Sequence, residues 1–289
     1  MAKLSPFVPL CLIILGFLSP KLQLNQNIII DASARGLASD LPALRGDLEE
    51  AQIKVVWRQG SQDRTLKSWY LEELLQWHLV KKRERDPKGG AASDWAGVDL
   101  ENLVDLGLKG LAIEEKATID LLILRTLEGG EFLIPRSFIK KYPVLLAFLK
   151  NGDYLNVEAP FSSIPPLSSY TQTGMEVYPV QRFFVPAVKE IILTNSHDRF
   201  PYAFLTRRSN PAALRGEKVF VKTCMNCHSQ AEFPKPSQLA KKAIEAGELF
   251  PKQHQKVQGM PELNYKQALG LKAFFKAHLS EKSGLAAAH

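Results

Sequence analysis

Apolar and polar positions change their spacing along the chain at about residue 210. Before that point, apolar residues form short runs bounded by turns that contain glycine or proline, a pattern typical of β-strands. The predicted strands are residues 52–57, 119–127, 131–135, 142–149, 181–185 and 188–195. Residues 68–79 and 98–106 have helical spacing, and residues 81–90 are interpreted as a charged loop. Because strands and helices do not alternate regularly, we predict an α+β fold with a mixed sheet.

After residue 210 the apolar spacing becomes helical throughout, and helices are predicted over residues 211–224, 237–249 and 264–279. A chain of 289 residues is long enough for two domains. We therefore predict an N-terminal α+β domain followed by an all-α domain. The predicted divisions are 1–20 (export segment), 21–50 (linker), 51–197 (α+β domain), 198–210 (linker), 211–282 (all-α domain) and 283–289 (tail).

The first twenty residues have the pattern of an export signal. Lys3 precedes an apolar run over residues 7–18, which is followed by polar sequence. The run is too short to span a bilayer comfortably, and no clear cleavage site follows it. Residues 1–20 are therefore predicted to be either a cleaved signal peptide or an uncleaved N-terminal anchor with possible membrane association. Both alternatives predict a periplasmic or otherwise extracytoplasmic protein.

The most specific motif is C-x-x-C-H at residues 224–228. Two thiols on one helical turn can each reach a vinyl group of a porphyrin, while the adjacent imidazole faces the iron. The motif therefore indicates one covalent haem c held by Cys224 and Cys227, with His228 as an axial ligand. The alternatives are a thioredoxin-type redox pair, half of a zinc site, or a chance match. Cys11 lies in the apolar N-terminal run, so no structural disulfide is predicted.

Residues 210–281 resemble a short bacterial monohaem cytochrome c of class I. The resemblance rests on the segment 215–220 leading into the haem motif, and on Leu271, Phe274 and Phe275 near the C-terminus. It implies that Gly216 allows the last helix to approach the first one closely, and that an aromatic side chain packs where they cross.

The same resemblance implies a second iron ligand. Met260-Pro261 lies 32 residues after His228, just before the last predicted helix, where the family places its methionine ligand. A thioether ligand raises the reduction potential by favouring ferrous iron. His254 is the competing ligand, and bis-His ligation would lower the potential. The resemblance also implies that a proline carbonyl accepts a hydrogen bond from His228; Pro234 is preferred, with Pro236 as the alternative.

Positive charge is concentrated in the C-terminal part. Residues 211–289 contain 12 Lys and Arg against 6 Glu, whereas residues 21–210 contain 24 of each sign. One interpretation is a lysine surface that steers a redox partner with an acidic docking surface; the other is an ordinary solvated helix face. A nucleic-acid partner is not expected for an exported haem protein.

The N-terminal domain resembles the molybdopterin-binding fold of sulfite-oxidase-like oxidoreductases. The resemblance rests on W-x-G-V-x-L-x-x-L at residues 95–103, a segment ending in I-P at 129–135, and L-L-A at 145–147 before Asn151-Gly152. In that family a cysteine just before the first of these segments holds molybdenum, but residues 81–94 contain no cysteine here. The resemblance therefore implies a degenerate, non-catalytic domain that serves for docking.

Together these patterns predict an exported electron-transfer protein rather than an enzyme, with haem c as its cofactor. Two alternatives stay open at this point. The chain could be the haem-bearing subunit of an oxidoreductase complex of the sulfite-oxidase type. It could also be a haem-based sensor, which would require a labile sixth ligand.

Overall fold

The structure is a computed structural model. It describes residues 46–86, 90–155, 158, 160–171, 177–207, 209–229, 235–245 and 261–286. The strands are β1 Gln52–Gln59, β2 Gln62–Tyr70, β3 Val80–Arg85, β4 Ala92–Asp99, β5 Leu121–Thr126, β6 Glu131–Pro135, β7 Leu145–Lys150, β8 Asp153–Tyr154, β9 Ser162–Ile164 and β10 Val188–Thr194.

The α-helices before residue 210 are short. They are α1 Gly46–Glu49, α2 Leu71–Leu75, α3 Leu100–Leu108, α4 Ile113–Thr118, α5 Arg136–Lys141 and α6 Ser196–Arg199, with 3₁₀ turns at Val180–Phe183 and Pro201–Ala203. The later helices are α7 Pro211–Val219, α8 Met225–His228, α9 Pro236–Glu245 and α10 Tyr265–Ala286, with a π-helical segment at Phe220–Cys224 between α7 and α8.

The described strands form two sheets. The first has the order β2-β1-β10-β5-β6, in which β1 and β10 are parallel and the other pairs are antiparallel. The second has the order β3-β4-β7-β8, with β9 also paired to β7, and its described pairs are antiparallel. The predicted mixed sheet is therefore present in the first part of the chain, and a helical part follows it.

Strands β1, β10, β5 and β6 of the first sheet are covered on both faces. In β5, Leu122 and Leu124 face the core of the α+β part, whereas Leu121 and Ile123 belong to the hydrophobic cluster that contains the C-terminal helices. A strand covered on both sides needs apolar residues at successive positions, which explains the uninterrupted apolar run in the sequence. The helical part thus packs directly on the sheet.

Several predicted elements agree with the structure. The strands at 119–127 and 131–135 form the β5–β6 hairpin around Gly129-Gly130, the strand at 142–149 is found as β7, and that at 188–195 as β10. The helix expected at 98–106 begins two residues later, where the Asp99 side chain accepts a hydrogen bond from the Asn102 N–H and caps α3.

Three predictions were wrong. Residues 68–79 do not form one helix, since β2 continues to Tyr70 and only Leu71–Leu75 is helical. The charged loop expected from residue 81 is instead strand β3, whose charged side chains suit the edge of a sheet. The strand expected at 181–185 is mainly a 3₁₀ turn at Val180–Phe183, where Val180 and Phe183 are buried.

The two segments predicted as linkers contain core residues. Leu48 in α1 is fully buried in the α+β core. Phe200, Ala203 and Leu205 are buried in the cluster shared by the first sheet and the helices. The Glu281 carboxylate of α10 also accepts hydrogen bonds from the backbone N–H groups of residues 206 and 207, so the connection is fixed to the last helix.

The proposed export segment, residues 1–20, lies outside the described residues. Within the described part of the chain, none of the helices combines the length and the apolar character needed to span a bilayer.

Candidate functional site

The C-x-x-C-H motif lies at the end of a nearly continuous helical segment, residues 211–228. Asn210 caps α7 by accepting hydrogen bonds from the N–H groups of Ala212 and Ala213, and Pro211 occupies the first turn. The helix then continues as the π-helical segment Phe220–Cys224, which ends at the first cysteine of the motif. Segments of π-helix are rare and occur frequently at functional sites.

Gly216 brings α7 into backbone contact with α10. A Cβ built on Gly216 would lie 2.0 Å from the carbonyl oxygen of Gly270, so only glycine fits there without moving a helix. The close approach that the sequence resemblance implied at this residue is therefore present. The partner glycine was not singled out from the sequence.

Phe220 joins this crossing to the motif. Its ring centroid lies 5.3 Å from Phe274 and 6.0 Å from Phe275, and it is nearly parallel to the imidazole of His228, at 6.2 Å and an interplanar angle of 29°. Phe220 and Phe274 are fully buried. The aromatic packing expected at the helix crossing is present, and it fixes one side of His228.

The three principal motif residues lie on one short stretch of helix. His228 is 5% exposed, Cys224 is buried, Cys227 is partly exposed, and both cysteines are free thiols. Burial raises the pKa of Cys224 to about 12, with a smaller contribution from the neighbouring Cys227. Burial also raises the pKa of Cys227, although the positive charge of Arg182 opposes that effect. Both groups are therefore neutral thiols at pH 7.

The two middle residues of the motif are buried as well. Met225 is 1% exposed and belongs to the cluster shared with the first sheet. Asn226 is 5% exposed, and its Oδ1 atom has no hydrogen-bond partner among the described residues. The helix α8 that carries them packs beside β6, the edge strand of the first sheet. The motif is therefore enclosed on the side of the α+β part.

A segment of the α+β part, residues 177–183, also reaches the motif. The Thr223 hydroxyl donates a 2.7 Å hydrogen bond to the carbonyl of Val177, and both residues are buried. Lys222 Nζ lies 3.3 Å from the Tyr178 hydroxyl. These contacts were missed at the sequence level, because nothing in a sequence pairs residues more than forty positions apart across two structural units.

The start of α10 is fixed by reciprocal capping. The Asn264 side chain accepts a hydrogen bond from the Gln267 N–H at 3.0 Å, and the Gln267 side chain accepts one from the Asn264 N–H at 2.7 Å. The N-x-x-Q spacing is a variant of the capping box and could have been found in the sequence. It fixes the point, four residues after Pro261, at which the last helix begins.

Some predicted site residues lie outside the described part of the chain. These are Met260, the preferred sulfur ligand, its competitor His254, and Pro234, the preferred acceptor for His228. The alternative acceptor, Pro236, is described as the buried first residue of α9.

Strand β3 contains a largely buried lysine, Lys82, and a fully buried glutamate, Glu84. Lys82 Nζ donates to the Pro143 carbonyl at 3.0 Å and lies 4.0 Å from Glu84. Glu84 is 2% exposed and accepts two hydrogen bonds from Ser168. Burial lowers the pKa of Lys82 from 10.5 to about 8, although Glu84 and Asp99 oppose the shift. Neighbouring protein groups therefore provide the hydrogen-bond partners of both side chains.

Comparisons with known proteins assign no family. No protein-family model matches the chain, and no curated protein sequence matches it either. Among the described residues there is no group of three or more His, Cys, Asp or Glu side chains arranged to hold a metal ion.

Proposed function

We propose that the chain carries one covalently attached haem c and transfers single electrons. Cys224 and Cys227 would hold the porphyrin, and His228 would bind the iron. The observation that carries the proposal is the placement of a buried imidazole on the same helical stretch as two free thiols, with Phe220 parallel to it. This donor set fits a haem held by two thioethers and an axial histidine.

The thiols do not fit the alternative interpretation of the motif as a thioredoxin-type redox pair. A dithiol oxidoreductase needs an attacking cysteine that is accessible and whose pKa is lowered towards neutrality. Here the first cysteine is buried, and the pKa of Cys224 is raised to about 12 by that burial. A buried, neutral thiol is a poor nucleophile for reversible thiol–disulfide exchange.

The rest of the chain would hold the haem in a fixed, dry site. Phe220, Phe274 and Leu271 supply an apolar wall beside His228, and the Gly216–Gly270 contact holds the two helices that form it. When bound, haem supplies one-electron iron chemistry, with a potential set by its axial ligands and by burial. Met260 is the proposed sixth ligand, supported by its position ahead of the capped start of α10.

The α+β part would act as a non-catalytic docking unit. Its sequence segments resemble those of a molybdopterin-binding domain, but no cysteine stands at the position of the molybdenum ligand. Where residues 81–94 are described, Lys82 and Glu84 interact with neighbouring protein groups. The shared hydrophobic cluster joins this part to the helices that would carry the haem.

A protein with an acidic docking surface is the proposed redox partner. Lys266, Lys272 and Lys276 are exposed along α10, and Tyr265 and Leu269 are 77% and 47% exposed on the same helix. A mixed apolar and basic face of this kind suits transient, electrostatically steered contact. Extracytoplasmic localisation follows from the proposed export segment at residues 1–20.

The sixth ligand is tested by the ferric absorption spectrum of Met260→Ala in the haem-loaded protein. We expect loss of the weak charge-transfer band at the red end of the spectrum, together with a large fall in midpoint potential, because a thioether ligand favours ferrous iron. Met225→Leu is the matched control, since it replaces a buried methionine of the motif by a residue of similar volume. An unchanged Met260→Ala spectrum would contradict the assignment.

A further inference from the structure

Strand β3 is a regular strand at an open edge of the second sheet. In the described part of the chain it pairs only with β4, and its six residues keep one register with that strand. The other described sheet edges are interrupted, covered or short. The register of β2 with β1 shifts between Val55 and Val56, β6 lies beside α8, and β8 and β9 have only two and three residues. The outer edge of β3 is therefore the one best suited to accept a further strand.

One face of β3 is anchored inside the α+β part. Lys82 Nζ donates a 3.0 Å hydrogen bond to the Pro143 carbonyl, and the Glu84 carboxylate accepts two hydrogen bonds from Ser168. These contacts tie β3 to two other segments of the chain and hold its backbone extended. A strand that is already ordered loses little conformational entropy when a ligand pairs with it.

The opposite face of β3 carries three cations at alternate positions. Lys81, Arg83 and Arg85 are exposed. Because side chains alternate along a strand, all three point to the same face. On β4, Asp94 lies directly opposite Arg83, with its Oδ1 atom 3.8 Å from the guanidinium Nη1. A carboxylate at the cross-strand position thus reaches the guanidinium, and a strand added on the open side could present carboxylates to all three cations.

The charge pattern of β3 selects between possible partners. Antiparallel pairing of two copies about Arg83 would set Lys81 opposite Arg85, so like charges oppose a dimer through this edge. Charged edges commonly prevent self-association in this way. An extended segment with Asp or Glu at every second position would instead meet three opposite charges. The same side chains therefore exclude a second copy and favour an acidic strand.

We propose that the outer edge of β3 binds an extended acidic segment of a partner protein, which adds to the second sheet as a further strand. Its backbone would pair with β3, and its carboxylates would lie beside Lys81, Arg83 and Arg85. The inference rests on the proposed docking role of the α+β part and gives that role a surface, distinct from the face of α10. It does not depend on haem attachment.

The test is fluorescence anisotropy of the exported full chain with a labelled peptide of alternating glutamate and threonine. We expect saturable binding that weakens as salt is added, because exposed charges are screened. The double variant Lys81→Gln/Arg85→Gln should bind about fivefold more weakly, the effect expected for the loss of two cross-strand charge pairs. Arg64→Gln/Lys67→Gln removes two exposed cations from β2 and should bind like the wild type. It is the matched control, because both double variants change the net charge equally.

A second peptide separates strand addition from simple charge attraction. With every threonine replaced by proline, the peptide keeps its carboxylates but loses half of its backbone N–H groups, so it cannot extend a sheet regularly. We expect it to bind about tenfold more weakly, because several hydrogen bonds to β3 cannot form. Equal binding of the two peptides would overturn strand addition. Equal weakening by the β2 and β3 variants would overturn the assignment to β3. Binding to phosphatidylglycerol vesicles without binding to the glutamate–threonine peptide would overturn the proposed partner.

The intact mass of the same sample separates this inference from electron transfer. A chain without covalent haem that binds the peptide through β3 would support the inference and contradict the proposed electron-transfer function. A haem-loaded chain that does not bind the peptide would overturn the inference alone.

Discussion

Gly216 in α7 and Gly270 in α10 hold these two helices in direct backbone contact. A Cβ on Gly216 would overlap the Gly270 carbonyl oxygen at 2.0 Å, whereas a Cβ on Gly270 would lie 3.2 Å from the Gly216 nitrogen. The first position therefore tolerates no side chain, and the second is only tight. This contact fixes the position of α7, and therefore of the C-x-x-C-H motif that follows it.

Gly216→Ala should destabilise the protein. The overlap forces the helices apart and outweighs the gain of up to about 1 kcal/mol in helix propensity. We expect the free energy of unfolding, measured by urea titration with far-UV circular dichroism, to fall by about 2–3 kcal/mol. Gly110→Ala is the control: a Cβ there meets no atom within 4 Å, and its effect should stay within about 0.5 kcal/mol. Equal effects of the two changes would refute the close contact.

Thr223→Val tests the contact between the α+β part and the motif. The change removes the 2.7 Å hydrogen bond to the Val177 carbonyl and leaves that carbonyl buried without its donor. We expect a loss of about 1–2 kcal/mol in the free energy of unfolding. Thr118→Val removes a similar hydroxyl-to-carbonyl bond, of 2.8 Å, at an exposed position and should cost much less. If Thr223→Val were as mild as Thr118→Val, residues 177 and 223 would not be in contact.

The lowered pKa of Lys82 predicts that the free energy of unfolding rises at alkaline pH. Below pH 8 its ammonium is protonated in both folded and unfolded chains, whereas between about pH 8 and 10.5 only the unfolded chain holds the proton. Raising the pH through this window therefore favours the folded state. From pH 7 to 9.5 the wild type should gain about 2 kcal/mol in free energy of unfolding relative to Lys82→Met. A pH-independent difference between the two proteins would show that the pKa of Lys82 is not lowered.

The spacing of apolar residues predicted much of the fold, and the elements that it failed to predict have physical explanations. The run from Leu121 to Leu124 is apolar at every position because β5 is covered on both faces, so this strand was predictable. Strand β3 was missed because it is an edge strand, and its lysines and arginines hide the two-residue period. The leucines after Tyr70 suggested a long helix, although only one turn of it forms.

The motif was also predictable, but its surroundings were not. Cys224, Cys227 and His228 are adjacent in sequence, so one helical stretch brings them together. Val177 reaches Thr223, next to the motif, only through the packing of the α+β part on the helices. No local pattern encodes a contact of that range, and the burial of Asn226 likewise depends on packing beside β6.

The most direct test of the account is whether haem stays with the polypeptide after denaturation. The full chain should be expressed with its export segment in a bacterium that matures c-type cytochromes, then analysed by intact mass and by haem absorbance in a denaturing gel. We predict a mass increase of one haem per chain and a haem band that is lost in the double variant Cys224→Ser/Cys227→Ser. A wild-type chain with the mass of the unmodified polypeptide, exported beside a haem-loaded control cytochrome, would contradict the account.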